Sequence, residues 1–248
     1  MNDNVMSYKN IAAKPTVLIT GASSGIGRAV VTLLDSVGYS TVLVSRRTEM
    51  LHELAASLEH EALCVPYDLS NIKDIESIFK RCAEKEIKLF GLVHCAGINR
   101  DQPVRTNNTD DMVEVMNINL MSFIELAKYF YSKKYSEDGG SIIAMSSTAV
   151  YGCDKGMCTY AASKAGIDAA VKVMSKEFSK RKIRVNSIQP TYTDTPMGRN
   201  TVDWENKFAA QPLGVVEPMY IGYLVEFLLS EKSKYISGSN IKVSSGAI

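Results

Sequence analysis

The chain has 248 residues, and 46% of them are hydrophobic, which is enough to bury a sizeable core. Its 28 basic and 27 acidic residues give a net charge of +1, so electrostatics favours neither nucleic acid nor an anionic membrane surface as a partner. The first ten residues lack the apolar segment of a signal peptide, and no apolar run approaches the ~20 residues of a membrane span, so we expect a cytoplasmic protein.

Segments typical of strands alternate with segments typical of helices, after a polar lead-in at residues 1–14. Short apolar and β-branched runs predict the strands, and longer runs with a period of about 3.6 residues predict the helices. In chain order the prediction is a strand at 16–20, a helix at 27–38, a strand at 41–45, a helix at 49–60, a strand at 62–68, a helix at 72–85, a strand at 89–97, a helix near 109–134, a strand at 141–147, a helix at 159–180, a strand at 183–190, a helix near 218–230 and a strand at 239–245.

Most of these strands are continuous apolar runs, which is typical of a parallel sheet covered on both faces. The regular alternation predicts right-handed crossovers and an α/β fold: a single doubly wound, Rossmann-like domain over 1–248, with a central parallel sheet flanked by helices. The stretch 191–217 has weak structure signals and is expected to be a substrate loop. A basic cluster at 176–184 is interpreted as a solvated helix end.

The five cysteines form no CxxC pair, and none of the three histidines stands at zinc-ligand spacing with them. An odd number of cysteines in a chain of this size favours neither a disulfide framework nor a secreted protein. We therefore expect a reducing compartment and no metal site.

The segment TGASSGIG at 20–27 follows the first predicted strand and opens the first predicted helix. Gly21 can turn the chain sharply, Gly25 allows a ligand to approach the backbone, and Gly27 lets helix and strand pack closely. The helix N-terminus then offers free N–H groups and a positive dipole to a pyrophosphate. The pattern indicates a dinucleotide site, and a glycine-rich turn without a ligand is the weaker interpretation.

The second predicted strand ends with Arg46 and Arg47, and no acidic residue stands between Tyr39 and Thr48. NAD-binding units carry a carboxylate there for the ribose hydroxyls. Two guanidinium groups suit a ribose 2′-phosphate instead, so the sequence predicts NADP(H) as the cofactor. The alternative is a pair of solvated surface arginines.

Tyr160 and Lys164, in TYAASKAG at 159–166, stand four residues apart on one face of a predicted helix. An ammonium beside a phenol favours the phenolate, so Lys164 is expected to lower the pKa of Tyr160 from its usual ~10. The tyrosine would then be a usable acid near neutral pH. Taken alone, the spacing is more typical of a surface helix whose tyrosine caps the core and whose lysine is solvated.

Six short motifs stand in the order and spacing of the short-chain dehydrogenase/reductase family, which the chain resembles from about 16 to 246. Within that family it most resembles the β-ketoacyl-acyl carrier protein reductases. The motifs are TGASSGIG, CAG (95–97), NINL (117–120), Ser147, YAASK (160–164) and QPTYTDTP (189–196).

The resemblance implies hydride transfer between NADP(H) and a carbonyl or secondary alcohol, with a small-molecule or acyl-carrier-bound substrate. It implies four catalytic residues: Tyr160 gives the proton, Lys164 lowers the tyrosine pKa and binds the nicotinamide ribose, Ser147 bonds the substrate oxygen, and Asn119 supports a proton-relay water. The implied cofactor-binding residues are Gly21, Ser23, Ser24, Gly25, Ile26, Gly27, Arg46, Arg47, Asp68, Leu69, Cys95, Ala96, Gly97, Tyr160, Lys164, Pro190 and Thr195.

Two positions depart from the family pattern. Cys95 stands where the family has an asparagine before Ala-Gly, and Thr191 stands where it has a glycine after proline. The first change is expected to matter little because backbone makes much of that contact. The second is expected to reshape the pocket beside the nicotinamide, and neither removes a catalytic group.

The substrate is left open because the expected pocket segments 97–105, 148–158 and 191–217 are irregular. One alternative is a reductase of a sugar or secondary-metabolite carbonyl. Another is a non-catalytic NADP(H)-binding protein, against which the complete set of Asn119, Ser147, Tyr160 and Lys164 argues.

The helices predicted at 109–134 and 159–180 carry apolar residues over more than the ~100° stripe of a helix packed on one side. In the resembled family these helices pair with their copies, and a second interface near the last helix and strand completes a tetramer. We therefore expect a homotetramer, with a dimer as the fallback.

Overall fold

The computed structural model describes residues 14–247, and across this range seven strands form one sheet in which all neighbouring strands are parallel. The expected lead-in lies outside the described residues, apart from residue 14, which begins the first strand. The strands are β1 (Lys14–Thr20), β2 (Tyr39–Ser45), β3 (Ala62–Pro66), β4 (Leu89–His94), β5 (Ser136–Met145), β6 (Arg184–Pro190) and β7 (Asn240–Val243).

The spatial order of the strands is β3-β2-β1-β4-β5-β6-β7. The first strand, β1, lies inside the sheet, where Leu18 pairs with Val42 of β2 on one side and with Leu92 of β4 on the other. The order runs outward from β1 in both directions, which is the doubly wound arrangement that the sequence predicted. This part of the prediction is confirmed.

Helices cover both faces of the sheet, and each face has its own apolar core. On one face, the helix residues Phe79, Phe123 and Val171 pack against strand residues such as Leu18. On the other face, Val31 and Val225 pack against the strand residues whose side chains point to the opposite side of the sheet. The helices are α1 (Gly25–Ser36), α2 (Thr48–Ala56), α3 (Glu76–Glu84), α4 (Thr109–Met116), α5 (Ser122–Phe130), α6 (Ala149–Gly152), α7 (Cys158–Glu177), α8 (Pro196–Arg199), α9 (Trp204–Ala209) and α10 (Pro218–Leu229).

The carboxyl ends of the strands meet at one edge of the sheet. Gly21 follows β1, Arg46 follows β2, Cys95 follows β4, and Ser147 lies just beyond β5. The chain leaves the carboxyl ends of β1 and β4 toward opposite sides, and the crevice between them is where such sheets bind ligands. The fold therefore gathers the predicted site residues from distant parts of the chain.

The helix predicted near 109–134 is present, but it is not uniformly α-helical, because a π-helical turn at Asn117–Met121 separates α4 from α5. The apolar period continues through the turn, so the sequence pattern does not reveal the extra residue. Such turns are common at functional sites. Here the turn contains Asn119, whose side chain contacts the loop after β4. Its Oδ1 accepts the Ile98 N–H at 2.8 Å.

The basic cluster at 176–184 is not a wholly solvated helix end. Arg181 is buried and its Nε donates to the Asp138 carboxylate at 2.7 Å, while Arg184 begins β6 and donates from Nη1 to the Ser233 hydroxyl at 2.8 Å. The guanidinium of Arg181 also ties the end of the 3₁₀ turn after α7 to the start of β5, because its Nη2 donates to the Ser136 carbonyl at 2.9 Å. These two arginines therefore join separate elements of the fold instead of lying in solvent.

The stretch 191–217 contains two short helices, α8 and α9, inside the segment for which the sequence predicted little structure. Thr195 begins α8, because its Oγ1 accepts the Gly198 N–H at 3.0 Å. Thr193 pairs with Val216 as an isolated β-bridge, which joins the beginning of the segment to its end. None of the described helices is both long and apolar enough to cross a membrane.

Candidate functional site

The glycine-rich turn after β1 forms one wall of a cavity of about 390 Å³ at the carboxyl ends of the strands. Most of the residues that the family resemblance implied for the cofactor line this cavity. They are Gly21, Ser23, Ser24, Gly25, Ile26, Gly27, Arg46, Arg47, Asp68, Leu69, Cys95, Ala96, Gly97 and Thr195. The lining also includes residues that the sequence did not single out, namely Ser45, Tyr67, Ile98, Ile118, Pro196 and Met197.

The turn needs glycine at two of its positions for different reasons. Gly21 has a φ of +65°, and a Cβ there would lie 2.9 Å from the backbone nitrogen of Ala96. A Cβ on Gly27 would lie 2.3 Å from the carbonyl oxygen of Gly21, so α1 packs directly on the turn. Because both obstacles are backbone atoms, neither of these two positions has room for a side chain.

Arg47 reaches across the mouth of this cavity to the glycine-rich turn. Its guanidinium donates to the hydroxyl of Ser23 from Nη2 at 2.8 Å and to that of Ser24 from Nη2 at 2.6 Å. Arg46 lines the same cavity and is exposed. The two cations and two hydroxyls form a cluster of hydrogen-bond donors that fits a phosphate group.

Asp68 lines the cavity on the side of β3. Its Oδ1 accepts the Ser70 N–H at 3.0 Å, so the carboxylate also closes a turn after the strand. Tyr67 precedes it, and its hydroxyl donates to the Asn71 carbonyl at 2.5 Å. Asp68 closes this turn and lines the cavity at the same time, so the turn does not exclude the expected contact with a cofactor.

A second cavity of about 380 Å³ adjoins the first and contains the expected catalytic hydroxyls of Ser147 and Tyr160, together with Lys164 and Pro190. The two cavities share a boundary, formed by Ile26, Cys95, Gly97, Thr195 and Met197. A molecule that fills the first cavity would therefore reach the hydroxyls in the second.

Lys164 is 4% exposed, and its Nζ donates to the Met145 carbonyl at the end of β5 at 2.7 Å. Loss of hydration lowers the pKa of the lysine to about 8, and this effect outweighs the Cys95 and Asp168 side chains, which raise it. The lysine therefore loses its charge at a pH well below the usual range for lysine.

The pKa of Tyr160 differs from the sequence-based expectation, because it is raised rather than lowered. Burial is the largest cause, and a hydrogen bond with Ser147 acts in the opposite direction. Lys164 is directed at the Met145 carbonyl, and its Nζ lies 5.6 Å from the centroid of the Tyr160 ring. A raised pKa keeps the phenol protonated, which suits a proton donor.

Asn119 is fully buried and its side chain does not line either cavity. Its Nδ2 donates to the Ile98 carbonyl at 3.0 Å and to the Ser163 hydroxyl at 3.0 Å. Ser163 precedes Lys164 on α7, so the amide joins the π-helical turn, the loop after β4 and the helix that carries Tyr160 and Lys164. The geometry supports the side chain as a brace between these elements.

The outer part of the second cavity holds a cluster that sequence reasoning missed. The hydroxyl of Tyr192 donates to Asp154 at 2.9 Å, and Lys207 lies 4.0 Å from the same carboxylate. These side chains come from the segments 148–158 and 191–217, which the sequence did predict as pocket walls. From the third expected segment, 97–105, only Gly97 and Asn99 line the second cavity.

Two departures from the family pattern lie at the cavities. The Cys95 side chain is at their boundary, and burial raises the pKa of its thiol to about 12. Thr191 is buried in the lining of the second cavity, and its N–H donates to the Val243 carbonyl at 2.9 Å. The strand pairing therefore continues through Thr191 although the family has glycine there.

The residues of the first cavity fit a dinucleotide. Gly21 and Gly27 keep side chains off the turn that leads into the N-terminus of α1, where a pyrophosphate is favoured, and Arg46 and Arg47 line the same cavity. Within residues 14–247 no group of three or more His, Cys, Asp or Glu side chains is placed to hold a metal ion. The five cysteines are free.

A family model described as short chain dehydrogenase matches residues 15–206. The chain is 31% identical over 229 residues to the 3-oxoacyl-[acyl-carrier-protein] reductase of Homo sapiens, which covers 92% of this chain and 95% of the relative. It is 32% identical over 239 residues to 3-oxoacyl-[acyl-carrier-protein] reductase FabG of Thermotoga maritima, covering 93% and 96%.

A solved dehydrogenase/reductase from Sinorhizobium meliloti 1021 superimposes with a TM-score of 0.88 at 27% identity, covering 95% of this chain and 96% of the other. Fold, glycine-rich turn and family match agree over the same part of the chain. This chain belongs to the short-chain dehydrogenase family of oxidoreductases.

Proposed function

We propose that the protein is an NADP(H)-dependent reductase of carbonyl groups, with a 3-oxoacyl thioester on an acyl carrier as its substrate class. The observation that carries the proposal is the junction of the two cavities. The glycine-rich turn and the arginines line the first, and the hydroxyls of Ser147 and Tyr160 line the second. The reductase names of two relatives at 31% and 32% identity support the acyl substrate.

In this proposal the cofactor is held by this chain's own donors. The N–H groups of the glycine-rich turn bind the pyrophosphate, and Arg46 and Arg47 bind the ribose 2′-phosphate. The Lys164 ammonium binds the nicotinamide ribose, and Thr195 lies beside the nicotinamide. A nicotinamide cofactor supplies a hydride to the carbonyl carbon when it is bound.

The hydroxyls in the second cavity handle the charge that develops on the carbonyl oxygen. Ser147 donates a hydrogen bond to that oxygen, and Tyr160 donates its proton to it. The raised pKa of Tyr160 keeps that proton available before reduction. Lys164 then stabilises the tyrosinate that remains, while Asn119 holds the backbone around Lys164 and supports a proton-relay water.

The experiment is a scan of NADPH oxidation against a panel of 3-oxoacyl thioesters, aldoses, ketoses and simple ketones. Turnover of the thioesters with the lowest KM supports the proposal. Turnover confined to aldoses or ketoses would contradict the thioester substrate and indicate a sugar reductase. The Tyr192–Asp154–Lys207 cluster would then be the polar end of the pocket. NADPH binding without turnover of any carbonyl would indicate a non-catalytic binding protein and would contradict the proposed enzymatic activity.

The segment 191–217 is proposed as the substrate loop of a single domain. It contributes Tyr192 and Lys207 to the second cavity and Thr195 to the boundary between the cavities. A polar side chain in this position can recognise the part of the substrate that lies away from the carbonyl. The proposal places substrate recognition on this loop and chemistry on α7.

Replacing Arg46 and Arg47 with alanine is expected to weaken NADPH binding by about 100-fold or more, because two charge-assisted hydrogen bonds are lost and each is worth ~1.5–3 kcal/mol. NADH lacks the 2′-phosphate, so its affinity should change little. Fluorescence titration with both cofactors measures the two dissociation constants. Arg28→Ala is the control, since Arg28 is exposed on α1 and lines neither cavity. Equal affinity of the wild type for NADH and NADPH would contradict the assignment.

We also propose a homotetramer. Several residues of the expected interface helices, such as Val115 and Val171, lie in the subunit core instead. Others are exposed: Val113 is 50% and Val173 is 55% exposed, and Tyr220 on α10 is 63% exposed. Light scattering is expected to give about four times the 27.3 kDa of one chain, and twice that mass marks the dimer. A mass of one chain at micromolar concentration would refute the assembly.

A further inference from the structure

Asp168 is a buried acidic residue to which the roles proposed above give no function. It stands on α7 four residues after Lys164 and eight after Tyr160, so the three polar side chains share one helical face. Only 8% of Asp168 is exposed. A carboxylate buried to this degree loses much of its hydration, so it needs compensating contacts.

Two side chains of β6 supply those contacts. Ser187 Oγ donates to Oδ1 of Asp168 at 2.7 Å, and Gln189 Nε2 donates to Oδ2 at 2.7 Å. Gln189 is oriented in turn by Tyr151, whose hydroxyl donates to its Oε1 at 3.1 Å. Both carboxylate oxygens thus accept a hydrogen bond, and both donors are neutral, so the negative charge is solvated without being cancelled.

The charge acts on Lys164, which lies one helical turn before it. Burial lowers the pKa of Lys164 to about 8, and a negative charge on Cys95 or on Asp168 acts against this shift. The Lys164 ammonium is 4% exposed, so it has little hydration. Among the described residues, the Met145 carbonyl is its one hydrogen-bond acceptor, and that group is neutral. The sign follows from electrostatics, because an anion stabilises a nearby cation more strongly where water is excluded.

The other titratable groups around Lys164 carry no negative charge in the pH range where it titrates. From β4, burial raises the pKa of Cys95 to about 12 and lowers that of His94 to about 3, so both are neutral. On α7, the pKa of Tyr160 is raised, so the phenol keeps its proton. Asp168 is the remaining group in this set and supplies its negative charge.

We propose that Asp168 is a positioning residue of the catalytic face of α7: its carboxylate, held by Ser187 and Gln189, keeps Lys164 in its ammonium form at neutral pH. The inference rests on the proposed function, in which that ammonium binds the ribose and acts beside Tyr160. Asp168 lines neither cavity, so it acts through Lys164 without touching substrate or cofactor.

Asp168→Asn is the matched variant because the surrounding network can accept an amide. The asparagine Oδ1 can accept from Gln189, and its Nδ2 can donate to Ser187. The Ser187 hydroxyl then keeps Asn240 as its other partner, whose Oδ1 lies 3.0 Å away. Every hydrogen bond is retained and only the charge is lost. Asp168→Ser, which is smaller, carries the same expectation if the asparagine variant does not fold.

The direct measurement is the titration of Lys164 in protein carrying ¹³C at the lysine Cε, with the signal assigned by Lys164→Arg. The wild-type signal is expected to titrate near pH 8. Removing the anion should lower the midpoint by about one pH unit. In the steady-state pH profile for carbonyl reduction, the alkaline limb should move to lower pH by a similar amount, because the active form carries protonated Lys164.

Asp138→Asn is the control for loss of one negative charge, because Asp138 lies at the start of β5 and pairs with Arg181. It should leave the Lys164 midpoint unchanged. An unchanged midpoint in Asp168→Asn, with normal melting temperature, would overturn the inference while leaving the proposed function intact. A lowered midpoint in a protein that reduces no carbonyl would support the electrostatic link and refute the proposed function.

Discussion

Tyr160→Phe is expected to lower the rate of carbonyl reduction by about 100- to 10,000-fold, the usual range for loss of a positioned acid. The phenylalanine keeps the ring that packs in the second cavity and removes only the proton donor. Affinity for NADPH should remain within a few-fold of the wild type, since the phosphate-binding turn and Arg47 are untouched. Single-turnover kinetics and fluorescence titration measure the two quantities separately.

Tyr192→Phe is the matched control for this variant. Tyr192 lines the same cavity, but its hydroxyl donates to Asp154 in the outer part. We expect at most a several-fold change in KM and a nearly unchanged rate of the chemical step. Substantial turnover by Tyr160→Phe on any carbonyl that the wild type reduces would exclude the proposed proton donor.

Lys164→Ala should differ from Tyr160→Phe by reducing both turnover and cofactor affinity. The ammonium is proposed to bind the ribose as well as to stabilise the tyrosinate, so one substitution removes two interactions. A variant that loses turnover while binding NADPH normally would restrict Lys164 to the chemical step. This comparison separates cofactor positioning from proton transfer.

Gly27→Ala is expected to reduce NADPH affinity by about tenfold or more and to lower the free energy of unfolding by ~1–3 kcal/mol. The new Cβ would lie 2.3 Å from the Gly21 carbonyl oxygen and 3.2 Å from the Ala22 nitrogen, so backbone has to move. Gly21 cannot yield easily, because its own position is held against Ala96. The N–H groups at the start of α1 would therefore shift away from the pyrophosphate.

Gly222→Ala is the matched control, because it is also a glycine within a helix near α1. Its Cβ would meet Leu33 Cδ2 at 3.1 Å, the end of a flexible side chain that can rotate. Thermal unfolding and cofactor titration of both variants provide the comparison. If Gly27→Ala binds NADPH as tightly as Gly222→Ala does, the turn is not the phosphate-binding element.

The sequence by itself determined the element order and the place of the glycine-rich turn. Continuous apolar strands alternating with amphipathic helices leave few topologies besides a doubly wound parallel sheet. In such a sheet, residues just after a strand meet at one edge. The residues after β1 and β2 were assigned to the cofactor from the glycine pattern and the paired arginines, whereas Asp68 after β3 and residues 95–97 after β4 were assigned from the family resemblance. Boundaries were less exact where polar residues extend a strand, as at the start of β5.

Only the tertiary structure decided the properties that depend on contacts between distant segments. Burial of Tyr160 outweighs its hydrogen bond with Ser147 and raises its pKa, opposite to the expected direction, and no local spacing reports how much water is excluded. The π-helical turn at Asn119 is specified by hydrogen bonds to Ile98 and Ser163, which are far away in sequence. Asp168 likewise depends on β6, because its two donors lie on a different element. Side-chain identity and period describe each segment, whereas charge state and orientation arise where the segments meet.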